Sequence, residues 1–98
     1  MMTLKEIMPW VKEGIMYGDG ATVISGVSTD SRSIVVGDLF VALKGETFDG
    51  NQFINSVKKA GAAAAISNEN LDVFSLPGIQ VNDTKNALGQ IAKAWRTK

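Results

Sequence analysis

The chain has no cysteine and no histidine in its 98 residues. The first absence removes any disulfide framework and any thiol nucleophile; together they remove the usual zinc ligands. Without histidine there is also no imidazole to move protons near neutral pH. Neither sign of charge is in excess. Ten basic and ten acidic side chains give a formal net charge of zero, whereas a dedicated nucleic-acid binder carries a marked basic surplus. No apolar run approaches the roughly 18 residues of a membrane span. The opening Met1-Met2-Thr3-Leu4-Lys5-Glu6 carries an early acid and no long apolar stretch, unlike a secretory signal. From these absences neither a nucleic-acid nor a membrane partner is expected.

What is present is an ordinary globular mixture, 45% hydrophobic and 20% charged. A chain of this size buries roughly 60–68% of the surface it exposes when unfolded. That supports one core and leaves little room for an enclosed site holding two substrates. The chain is therefore a binding module or one piece of something larger. The closing Trp95-Arg96-Thr97-Lys98 interrupts a helical pattern, as expected of a domain cut from a longer polypeptide.

Periodicity divides the chain into alternating elements. Thr3 and Glu6 have the spacing of a capping box, and Leu4, Ile7, Met8 and Val11 follow at helical intervals, with Pro9 early enough to be tolerated. Gly14, Gly18, Asp19 and Gly20 make a turn-rich connection. Thr22 to Thr29 reads as a strand, and Gly26 inside it signals a bulge or a close backbone approach. Leu39 to Leu43 reads as a buried strand. A helix is expected from about Asn51 to Ala60, with Gly61 as its cap. Ala62 to Ser67 is a strand of small residues, Asn68 to Leu76 a loop or irregular stretch, and Ile79 to Val81 a short strand. Asp83 caps a last helix whose inner face is Ala87, Leu88, Ile91, Ala92 and Trp95. The pattern predicts a small layered α/β domain with a mixed, partly parallel sheet flanked by helices.

Two polar clusters each follow a predicted strand. Thr29-Asp30-Ser31-Arg32 offers two hydroxyls, a carboxylate and one of the two arginines. Lys44-Gly45-Glu46-Thr47-Phe48-Asp49-Gly50-Asn51 offers an ammonium group, glycine-exposed backbone, a hydroxyl and an aromatic ring. In α/β sheets ligands collect beyond the carboxyl ends of strands. Hydroxyls and backbone N–H groups there would bind phosphate oxygens or a base edge, Lys44 or Arg32 would neutralise charge, and Phe48 would cover a ring. A plainer reading stands beside this one. Asp30 is then a turn-former, Arg32 an ion-pair partner of Asp30 or Asp38, and Asp49-Gly50 the start of a helix. On the same reading Phe48 is a core or edge residue, and Trp10 and Trp95 belong to the core. No GxxxxGK[ST] phosphate loop and no GxGxxG follows a strand.

The ordered set Ser28-Thr29-Asp30-Ser31-Arg32, Gly37-Asp38-Leu39-Phe40-Val41-Ala42-Leu43-Lys44-Gly45, Phe48-Asp49-Gly50 and Phe53 resembles the amino-terminal domain of the Mur ligases. Ala60-Gly61-Ala62-Ala63 and Val81-Asn82-Asp83-Thr84 with Ala87-Leu88-Gly89 continue it, so that about Thr22 to Arg96 is covered. Leu43-Lys44-Gly45-Glu46 and Ala94-Trp95-Arg96 favour the MurF-type branch, with the MurE type as the alternative. The resemblance implies that residues 1–98 form a domain binding the UDP moiety of UDP-N-acetylmuramoyl-tripeptide, for ATP-dependent addition of D-alanyl-D-alanine. ATP and Mg²⁺ would be bound by a central domain and the incoming amine by a carboxyl-terminal one. A monomeric cytoplasmic enzyme is implied, and this chain alone would catalyse nothing. It further implies that Thr29 and Ser31 line the UDP site with Glu46, Thr47 and Phe48. Arg32 and Asp30 would brace the first loop, and Lys44 would contact the diphosphate. One position departs. Asn51 stands where relatives often carry histidine, and it can cap and donate but cannot carry charge.

Overall fold

The computed structural model describes residues 2–11, 13–47 and 49–96. The chain opens with β1 (Met2–Thr3) and α1 (Leu4–Ile7). The capping box forms: Thr3 Oγ1 accepts from the Glu6 amide at 3.3 Å, and Glu6 Oε1 accepts from the Thr3 amide at 3.0 Å. α1 is shorter than the apolar spacing implies and tightens into a 3-10 turn over Met8–Trp10. Pro9 has no N–H to offer the carbonyl four residues back, so the α-helical ladder ends there.

β2 (Ile15–Tyr17), β3 (Val23–Ile24), β4 (Gly26–Ser28) and β5 (Asp38–Val41) follow. Then come α2 (Ile54–Ala60), β6 (Ala64–Ser67), β7 (Gly78–Gln80) and α3 (Thr84–Arg96). The main sheet has five strands in the order β2-β7-β6-β5-β4. β4 through β7 are parallel to their neighbours and β2 is antiparallel to β7. This is the expected mixed, partly parallel sheet flanked by helices. α2 is reached through a 3-10 turn at Gly50–Phe53 and ends at Gly61, whose φ of 107° is the left-handed conformation a helix cap requires.

Three local readings change. The expected strand from Thr22 to Thr29 is divided at Ser25. β3 pairs with β1 in a separate two-stranded sheet, while β4 joins the main one. At Gly26 the expected close backbone approach is instead that of a side chain: a Cβ would lie 3.0 Å from Asp38 Oδ1. The turn-rich connection contains β2, whose Tyr17 hydroxyl donates to Gln80 Oε1 at 2.9 Å across the pair. The loop from Asn68 to Leu76 contains a 3-10 turn at Leu71–Phe74.

The core lies on both faces of the sheet. Leu39 and Val41 of β5, with Ala64 and Ile66 of β6, face Leu4, Ile7, Ala87 and Ile91 of α1 and α3. Phe40 and Ala65, one residue out of phase, face Ile54, Val57 and Leu71 on the other side. Strand periodicity of two explains the division. It also explains why both strands read as continuous apolar runs: every residue of β5 and β6 is buried. Trp10 and Trp95 are half-buried, not central, and meet edge to face with ring centroids 6.4 Å apart.

Candidate binding edge

Because β4, β5, β6 and β7 run parallel, their carboxyl ends (Ser28, Val41, Ser67 and Gln80) lie along one edge of the sheet. β4 and β5 are adjacent, so the two polar clusters leave that edge side by side.

The first loop is folded by its own side chains. Ser28 Oγ accepts from the Asp30 amide at 3.1 Å. Asp30 Oδ1 accepts from the Arg32 amide at 2.8 Å and from Arg32 Nε at 3.2 Å. Of the two partners weighed for Arg32, the structure selects Asp30; Asp38 instead accepts from the Val35 amide at 3.0 Å. The Arg32 side chain remains 89% exposed, so the brace leaves its guanidinium facing solvent. Thr29 is exposed and Ser31 half-buried. With Phe53, residues Thr29 to Arg32 line a cleft of about 440 Å³. Phe53 enters from the 3-10 turn at Gly50–Phe53 and was not among the site residues expected from the sequence.

The Arg32 amide first, and its guanidinium second, hold the Asp30 carboxyl below the ordinary value of 3.8. A folded-state pKa below the unfolded one means that the interaction is present above the unfolded pKa and is lost as pH falls through the lower, folded value. In an NMR titration, the Asp30 carboxyl carbon should therefore show a midpoint below 3.8. The Arg32 amide resonance should move in the same step; a midpoint at or above the ordinary value would break the account.

The second loop is a closed excursion. The Gly50 amide donates to the Leu43 carbonyl at 2.7 Å, and Lys44 and Asp49 form an isolated antiparallel bridge. Gly50 is required for this closure, since a Cβ would stand 2.9 Å from the Leu43 carbonyl oxygen and 3.0 Å from Ala42 Cα. Lys44, Glu46 and Thr47 are all exposed on the excursion and do not line the cleft beside the first loop. Phe48 lies outside the described residues.

Asn51 is placed differently from a surface ligand contact. It is buried, and its amide is used within the protein. Asn51 Nδ2 donates to Asp49 Oδ1 and to Asn68 Oδ1, both at 2.7 Å, and Asn51 Oδ1 accepts from the Ser67 hydroxyl. Ser67 and Asn68 were not singled out from sequence. The available signal was a hydroxyl closing an otherwise apolar run, immediately before a polar loop.

At the far end of the same edge, a hollow of about 450 Å³ is lined by Val11, Glu13, Val81, Asn82, Asp83 and Asn86, among others. Asp83 Oδ1 there accepts from the Asn86 amide at 3.1 Å, as a helix cap does. Among the described residues, no group of three or more acidic side chains could hold a metal ion, and no helix is long and apolar enough to cross a membrane.

Comparison with known proteins places this architecture. The family model "Mur ligase family, catalytic domain" matches residues 23–96. The UDP-N-acetylmuramoyl-tripeptide–D-alanyl-D-alanine ligase of Escherichia coli is 44% identical over 85 residues, which are 87% of this chain and 18% of the relative. A UDP-N-acetylmuramoyl-L-alanyl-D-glutamate–2,6-diaminopimelate ligase of Listeria innocua is 35% identical over 93% of the chain and 18% of its own length. Among solved structures, MurF from Acinetobacter baumannii superposes with a TM-score of 0.79 at 34% identity, covering 92% of this chain and 20% of that one. The chain thus spans about a fifth of the length of the proteins it matches. On a family match across most of its residues and a shared fold at this identity, the chain belongs to the Mur ligase family.

Proposed function

We propose that the chain is the amino-terminal, UDP-gripping domain of a longer MurF-type peptidoglycan-precursor ligase. The observation carrying this reading is the adjacency of β4 and β5, which sends a loop of hydroxyls and a guanidinium and a loop with an ammonium group and a hydroxyl from one edge. Thr29 and Ser31 would meet polar groups of the uridine, Arg32 and Lys44 the diphosphate, and Glu46 and Thr47 the remaining polar atoms. Asn51 would support the second loop from beneath. The domain's share of catalysis is remote binding energy: gripping the nucleotide orients a distant carboxylate for activation. ATP and Mg²⁺, and the chemical step itself, belong to the rest of such a protein. The chain by itself is inactive on this reading. A MurE-type parent is the second reading, favoured by the Listeria innocua relative's match across 93% of the chain; the amine accepted by the longer protein separates the two.

Titrating UDP into the isotopically labelled chain tests the site. Amide shifts should concentrate at Thr29–Arg32 and Lys44–Thr47, and Arg32→Ala should weaken binding about tenfold or more, as loss of a charge-assisted hydrogen bond does. No shifts at millimolar UDP, or shifts confined to other segments, would remove the reading.

A further inference from the structure

Asn51 is the hub of a hydrogen-bond chain joining parts of the fold that are distant in sequence. Its side-chain N–H groups are both given away, one to Asp49 on the second loop and one to Asn68 just past β6. Its carbonyl oxygen receives the hydroxyl of Ser67, the last residue of β6. Ser67 is fully buried, and its Oγ also accepts from the Glu69 amide at 2.9 Å. Asp49 Oδ1, in turn, takes the Asn51 backbone amide at 3.0 Å. Asp49 also bridges to Lys44, and so closes the excursion that carries the exposed residues Lys44 to Thr47. A carboxamide has two donors and one carbonyl acceptor, and here all three participate. The second loop is therefore tied to the neighbouring strand through one side chain that makes three hydrogen bonds.

We infer that Ser67 is a positioning residue for substrate: through Asn51 it fixes the second loop against the end of β6, so that the loop meets a sugar nucleotide already formed. The inference rests on the UDP-site reading above and deepens it. A buried network that is wholly satisfied is rigid, and deleting one member leaves its partner's polar atom unpaired. Ser67 need touch no ligand for its loss to be felt in binding. The cost would appear as ordering that the loop must undergo at the moment of binding.

The test uses UDP as the probe and this chain as the protein. Ser67→Ala should raise the Kd for UDP by roughly three- to tenfold, the range of one lost hydrogen bond. It should also speed hydrogen exchange at Lys44–Thr47 while leaving Thr29–Arg32 unchanged. Asn68→Ala, at a half-buried position, should act in the same direction and serves if the Ser67 variant does not fold. Ile24→Val, in the separate two-stranded sheet, provides the control: it lowers stability but should leave both the Kd and loop exchange unchanged. If the unmodified chain does not bind UDP, the site reading falls and this inference with it. If the unmodified chain binds and Ser67→Ala or Asn68→Ala matches it in Kd and loop exchange, the site reading stands and the positioning role is overturned.

Discussion

Gly78→Ala is expected to lower stability by about 3 kcal/mol, the upper end of the usual cost of overpacking. Gly78 opens β7, which lies between β2 and β6 in the main sheet. A Cβ at this position would stand 2.0 Å from the Ala65 carbonyl oxygen and 2.6 Å from Leu71 Cδ1. Leu71 can rotate away, but the carbonyl belongs to the adjacent strand and cannot. The sheet must part locally, and the Ala65 amide bond to the Pro77 carbonyl, 3.0 Å long, is placed under the same stress. Domains of this size hold roughly 5–15 kcal/mol in total, so the loss is a large fraction. It corresponds to a fall of about 12–24 °C in the melting midpoint followed by circular dichroism. Gly89→Ala supplies the contrast. Gly89 lies within α3 with nothing within 4 Å of its would-be Cβ, and the change should stabilise by about 0.5–1 kcal/mol. Equal midpoints for the two variants would contradict the strand spacing described here.

Phe40→Ala should cost about 3–5 kcal/mol. Phe40 is 1% exposed and heads the largest fully buried side chains. Its neighbours include Ala42 and Ala65, held in or beside sheet strands, together with Ile54, Val57 and Leu71. Backbone-anchored alanines cannot collapse into the space an aromatic ring leaves, so most of the cavity penalty should persist. Phe40→Leu keeps much of the volume and should cost less than half as much. Urea unfolding followed at an unchanged slope would measure both. A loss below about 1 kcal/mol for the alanine variant would mean that this face is not close-packed.

The layered class and the edge bearing both polar loops were readable in the chain because they depend on local pattern. Leu39 to Val41 and Ala64 to Ile66 announce buried strands by their unbroken apolar character. Thr3 and Glu6 announce the start of α1 by spacing alone, and Gly61 announces the end of α2. What escaped depends on partners far along the chain. Ile15 to Tyr17 has a pattern too short to recognise and becomes a strand only by pairing with Gly78 to Gln80. Ser25 divides one apparent strand because β1 claims Val23 and Ile24 while β5 claims Gly26 to Ser28. Nothing local distinguishes those two halves. Asn51 could be flagged as a polar residue after Asp49-Gly50, but its role depends on Ser67 and Asn68, 16 and 17 positions away. A carboxamide's partners are set by tertiary packing, and no spacing rule reaches so far.

The edge-to-face pair of Trp10 and Trp95 has an optical consequence. These are the only two indoles in the chain, and both sit on the face covered by α1 and α3. α3 starts just past the carboxyl end of β7 and runs back about 20 Å over the sheet. Its terminal indole therefore lies toward the end remote from the polar loops, beside Ser25 and Gly26. Intrinsic fluorescence is in effect a gauge of whether the last helix is seated. It would register detachment of that helix while staying nearly dark to events at the opposite rim.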